Sequence, residues 1–129
     1  MADDWNPARD WLVKAENDLA SAKLLASAAQ PLRDTAIYHC QQAGEKALKA
    51  LLAWKERPLL RTHDLEILLN QVSADCPQLE ALREPAELLT PYAVEYRYPG
   101  ELAYPSEDEL VEALAAAETI LRAVSKLVE

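Results

Sequence analysis

The chain has 129 residues, half of them apolar, with only two glycines and no phenylalanine. That length suits one domain, the apolar fraction excludes intrinsic disorder, and the scarcity of turn glycines and β-branched runs excludes a sheet. A net charge of −9 repels nucleic acid at long range and argues against a general polyanion binder.

In chain order, Asn6-Pro7 opens a first helix, with asparagine as cap and proline in the first turn, where its missing donor costs nothing. Leu12, Ala15, Leu19, Ala22, Ala26 and Ala29 recur at three- and four-residue steps as one apolar stripe, closed at Gln30-Pro31. A second helix runs from about Arg33 to about Glu56, burying Ile37, Cys40, Gly44, Ala47, Leu48 and Leu51. Small residues at Ala43, Gly44 and Ala47 let another helix approach closely. After a loop through Arg57-Pro58, Thr62 is the expected cap of a third helix carrying Leu65, Leu68, Leu69 and Val72. Cys76-Pro77 ends it.

Gln78 to Tyr98 has a helical pattern broken by Pro85 and Pro91, which predicts two pieces or a kink. Pro99-Gly100 is a stop. Ser106 and Glu109 form a capping box for a last helix reaching about Leu127, with Leu110, Leu114, Ala117, Leu121 and Val124 inward. The fold class is therefore all-α: an up-and-down bundle of four to five helices in a single domain spanning residues 1–129.

The start, Met1-Ala2-Asp3-Asp4, is acidic where a secretory signal needs positive charge. No stretch approaches the ~20 apolar residues of a membrane span. The expectation is a cytoplasmic protein, without membrane contact, whose Cys40 and Cys76 stay reduced. Two cysteines and two histidines lack metal-ligand spacing, so neither a metal nor a cofactor is expected. Trp5, Trp11 and Trp54 are expected to pack on the core or a partner, Trp5 as a candidate interface anchor.

Charge is unevenly spread. Lys46, Lys49, Lys55, Arg57 and Arg61 stand against Glu56 alone in residues 46–63, a local +4 that leaves −13 elsewhere. A phosphate-bearing ligand is expected to settle there. Four of the five tyrosines, Tyr92, Tyr96, Tyr98 and Tyr104, crowd around Arg97. They read first as a cluster covering the bundle end or a dimer contact, and second as a stacking surface with Arg97 on phosphate.

Three blocks carry a resemblance: Tyr38-His39-Cys40-Gln41-Gln42-Ala43-Gly44-Glu45-Lys46-Ala47-Leu48-Lys49-Ala50-Leu51-Leu52, then Thr62-His63-Asp64-Leu65, then Tyr92 through Arg97-Tyr98-Pro99. In this order and spacing the chain resembles the prokaryotic HEPN domain. The resemblance implies a helical bundle that forms homodimers and pairs with a small nucleotidyltransferase protein in a toxin–antitoxin-like system. Some members of that family are ribonucleases that cleave RNA without metal through Arg-x(4–6)-His, histidine moving protons and arginine steadying the charge.

Two pairs fit that spacing here, Arg57 with His63 and Arg33 with His39. Within one helix Arg33 and His39 lie about 120° apart and diverge, whereas Arg57 and His63 straddle a loop and a helix start. Arg57 and His63 are thus the preferred catalytic pair, although Pro58 follows the arginine where active members carry a polar residue. Lys46, Lys49, Arg61 and Arg97 complete the expected nucleotide- or RNA-binding set. The alternative is a structural subunit that touches no nucleic acid.

Overall fold

The computed structural model describes residues 6–99 and 103–128, so Trp5 and Gly100 lie outside the described part. Five α-helices follow one another: α1 (Pro7–Ala26), α2 (Arg33–Trp54), α3 (Leu65–Ser73), α4 (Arg83–Leu89) and α5 (Glu107–Val128). No strand occurs among the described residues. The all-α bundle read from the sequence is the fold.

The central element is α2. It packs on α1, α3, α4 and α5, and twelve of its 22 residues are buried, including Ile37, Cys40, Leu48, Leu51 and Leu52. Gly44 explains how so many neighbours fit. A Cβ there would lie 2.8 Å from a Leu65 methyl on α3, 2.9 Å from a Leu89 methyl on α4 and 3.4 Å from an Ile120 methyl on α5. Three helices therefore converge on one missing side chain.

The helix ends obey local chemistry, with some shifts from the sequence reading. Asn6 Oδ1 accepts from the Arg9 amide, as expected of the cap of α1. That helix ends at Ala26, so Ala29 falls beyond it and is exposed. The cap of α3 is Asp64, not Thr62: Asp64 Oδ1 accepts from the Glu66 and Ile67 amides at 2.9 and 3.4 Å. Thr62 Oγ1 acts one step earlier, accepting from the Asp64 amide. A carboxylate at that position suits the positive end of the helix better than a hydroxyl.

Between α3 and α5 the prolines punctuate without breaking. Pro77 opens a 3₁₀ helix, Pro77–Leu82, and Pro91 lies in another, Thr90–Ala93. Pro85 is the third residue of α4, where no intrahelical N–H bond is lost. The box at α5 closes reciprocally: the Glu109 amide donates to Ser106 Oγ, and the Ser106 amide to Glu109 Oε1, both at 3.0 Å.

Candidate functional site on the polar face of the second helix

Tyr38, Gln42, Glu45 and Lys49 recur on one side of α2 at helical spacing, flanked by His39 and Lys46. This side is left half open by α1 and by the chain returning after α2. Its centre is Glu45, only 3% exposed.

Glu45 Oε1 accepts from His63 Nδ1 at 2.8 Å and from Gln41 Nε2 at 3.1 Å, and Oε2 accepts from Lys49 Nζ at 2.8 Å. Burial pushes the Glu45 carboxyl up, but the donors Lys49, His63 and Gln41 outweigh it and hold the group below the usual carboxylate range. Glu45 is therefore an anion, and His63 must carry its proton on Nδ1. Gln41 Nε2 also donates to the His63 carbonyl at 3.0 Å, which fixes the backbone of that histidine. The His63 side chain is 70% exposed, and Nε2 makes no hydrogen bond among the described residues. A carboxylate–imidazole pair of this kind has the orientation of a base.

One turn away, Asp18 of α1 holds His39 Nδ1 at 2.8 Å and Lys46 Nζ at 2.7 Å. This second carboxylate joins α1 to α2.

The preferred pair, Arg57 and His63, is not brought together. Glu56 takes a left-handed φ of 55°. The Arg57 amide then donates to Leu52 O and the Glu56 amide to Ala53 O, a Schellman closure that turns the chain back toward α3. Arg57 there donates to the Gln71 carbonyl and pairs with Asp75 at 2.7 Å, beside the C-terminal end of α3. His63 sits just before the opposite end, and nine helical residues separate the two by about 12 Å along the axis. Arg33 and His39 diverge as the helical angle requires. Arg33 Nε donates to the Pro105 carbonyl and its guanidinium lies 5.0 Å from the Tyr104 ring centroid, while His39 faces α1.

The basic segment does not form one pocket either. Lys46 is held by Asp18, Lys49 by Glu45, and Lys55 with Arg57 by Asp75. These three carboxylates lie outside residues 46–63 in the sequence and lower the local +4 to about +1. Arg61 is exposed, with no ion pair among the described residues.

Arg97 stands apart from this group. Its guanidinium carbon is 4.2 Å from the Tyr38 ring centroid and 5.7 Å from that of Tyr98, and Nη1 donates to the Ala93 carbonyl at 2.8 Å. No carboxylate among the described residues pairs with it. Tyr96 before it has a left-handed φ of 67°, costly for a side chain that bulky. Its hydroxyl is anchored on Glu109 at 3.1 Å. Asp34, Thr35, Tyr38, Tyr96 and Arg97 enclose a cleft of about 200 Å³. The tyrosines thus divide: Tyr92 and Tyr96 stack and face α5, whereas Tyr38 and Tyr98 flank the arginine. Tyr38, Asp18 and Asp75 were missed as partners. Only Tyr38 had a signal, its place on the same helical stripe as Glu45.

These features define a helical bundle with a charged, hydrogen-bonded strip along its central helix, and the comparisons place it. A family model described as the HEPN domain matches residues 8–127, and the chain belongs to that family. It is similar to TT1696 from Thermus thermophilus, with 33% identity over 95% of this chain and 98% of that one and a TM-score of 0.80. It is also similar to ST0689, an archaeal HEPN homologue, with 26% identity over 97% and 100% of the two chains and a TM-score of 0.74. No curated protein is significantly similar to the chain.

Proposed function

We propose that this HEPN chain is a non-cleaving, homodimeric subunit that works beside a small nucleotidyltransferase and holds a nucleotide or RNA phosphate at Arg97. The observation that carries the reading is the guanidinium held over the Tyr38 ring, 4.2 Å from its centroid, with no carboxylate partner among the described residues. Arginine presents five donors in a planar fork; with one engaged on Ala93, the rest suit bidentate recognition of a phosphate. Lys46 and Lys49 contribute field, because each already has a carboxylate. Arg57 has no part in it, and Arg61 is free to follow a longer ligand.

Cleavage is left out because Arg57, the arginine that the motif pairs with His63, is bonded instead to Asp75 and the Gln71 carbonyl. A pairing of histidine with distant Arg57 lacks the proximity that such catalysis needs.

Titrating a mononucleotide against the parent and Arg97→Gln tests the binding. Saturable binding by the parent that Arg97→Gln loses is the expected result, and equal affinity in both overturns it. RNA incubated in EDTA with the parent and His63→Ala should remain intact in both; cutting by the parent alone would restore the ribonuclease. A second reading, a structural subunit touching no nucleic acid, is favoured by the carboxylate pairing of Lys46, Lys49, Lys55 and Arg57. It holds if no nucleotide binds even at low salt while the chain still forms a complex with a nucleotidyltransferase on a sizing column.

A further inference from the structure

At the other end of the polar strip, Pro7, Asp10, Trp11, Lys14 and Lys46 line an open cleft of about 520 Å³ where α1 crosses α2. That volume is within the range of small-molecule sites, and it is more than twice that of the cleft at Arg97. We infer that this cleft is a binding site for a planar aromatic acid bearing a single negative charge.

Three features of the surface carry the inference. The first is the floor, where the half-buried Trp11 indole and the Pro7 ring provide flat apolar area. Lys49 Nζ lies 5.6 Å from the indole centroid and holds that ring in place by cation–π attraction.

The second is how the charges are layered. The Asp18 and Glu45 side chains are 11% and 4% exposed, whereas Lys46, which binds Asp18, is 26% exposed. The carboxylates are sunk beneath their cations, so an approaching ligand meets the ammonium ends. Lys14 adds a second one at the rim, exposed and without an ion pair among the described residues. Among the described residues Asp10 adds a carboxylate to the lining, which limits the net attraction.

The third is what this balance rejects. Lys14 and the outward end of Lys46 supply donors for one carboxylate, while Asp18 beneath Lys46 leaves no surplus for further negative charge. A polyphosphate would bring several charges into the field of a chain of −9 with too few cations to meet them. A neutral ring would leave the lysines unused. An aromatic carboxylate stacks on Trp11 and reaches Lys14 and Lys46 with its charge.

The test uses 2-naphthoate as probe, with uncharged 2-acetylnaphthalene as control, and follows the indole N–H resonances of the whole protein by NMR, Trp11 being assigned through Trp11→Phe. The expected result is a saturable shift of the Trp11 signal by naphthoate, several-fold weaker binding of the neutral control, and affinity lowered about fivefold in Lys14→Glu, the size of one exposed charge contact. Lys14 is a surface residue, so circular dichroism should show that variant folded. No saturable shift, equal affinity for the uncharged control, or an unchanged affinity in Lys14→Glu would overturn the inference. So would displacement of naphthoate from Trp11 by a mononucleotide, which would give the cleft to nucleotide binding. Failure of the Arg97 reading would leave this result untouched.

Discussion

A carboxylate at the middle of a packed helix costs several kcal/mol unless every lone pair is met. Glu45 meets that condition with Lys49, His63 and Gln41. Glu45→Gln keeps the shape but removes the charge that three donors expect, and should cost about 3 kcal/mol in urea unfolding at neutral pH. The pH dependence follows from the sign of the shift. Because the folded carboxyl titrates below its ordinary value of 4.5, its contribution is complete above that value and fades as pH falls through the lower, folded one. The parent should lose stability between about pH 5 and 3 more steeply than Glu45→Gln, and parallel curves would show that Glu45 is not the group responsible. Burial alone governs Cys40, whose thiol is pushed up to about 12, so alkylating reagents should reach it only through unfolding. At this scale the sequence shows which residues are unusual but not whom they meet. Glu45 and Lys49 read as a surface pair four apart, while Asp18 and Asp75, 28 and 18 positions from the cations Lys46 and Arg57, give no sequence signal of the contact.

Helices are fixed mostly by their ends, and the ends are where the sequence was least complete. Apolar periodicity located α1, α2, α3 and α5, whereas α4 was read only as part of a stretch, Gln78 to Tyr98, broken at Pro85 and Pro91. The cap at Asn6 and the box at Ser106 closed as read. The end of α2 was not legible, because its left-handed residue is Glu56 where glycine is the usual choice. A side chain in that region costs about 1–2 kcal/mol, partly offset by the greater unfolded freedom of glycine. Glu56→Gly should therefore raise stability by about 0.5–1 kcal/mol in urea unfolding, and a loss would mean that the exposed glutamate holds something the closure needs. Gly44 has the opposite requirement. Two methyls already lie within 3.0 Å of a Cβ built there, so Gly44→Val should cost about 1–3 kcal/mol through overpacking against α3 and α4. An unchanged unfolding midpoint would mean that these helices move apart easily. The arginine–histidine spacing meets the same limit. Spacing along the chain cannot show that a Schellman turn sends Arg57 to one end of α3 and leaves His63 at the other.

For the whole molecule the decisive quantity is where charge stays unpaired. In the sequence the +4 of residues 46–63 looks like the place for an anion, but folding brings in Asp18 and Asp75 and sets Glu45 beneath the lysines. Of the cations in the expected nucleotide set, Arg61 and Arg97 alone lack an ion pair among the described residues, and only Arg97 has aromatic rings to hold it. The two pictures differ in a property that can be measured without knowing the ligand's identity, the salt dependence of binding. Each phosphate neutralised on a single strand contributes about −0.7 to the slope of log K against log salt. A basic segment acting as one patch, with four or five contacts, would give about −3 or steeper. A single contact at Arg97 gives about −0.7, and the repulsion from a chain of −9 flattens it further, because added salt screens that repulsion too. Titration of a short oligoribonucleotide over a range of salt should therefore return a slope nearer zero than −1. Binding should be lost with Arg97→Gln, and the slope should hold with Arg57→Gln. A steep slope that Arg57→Gln relaxes would return the site to the segment where the sequence first placed it.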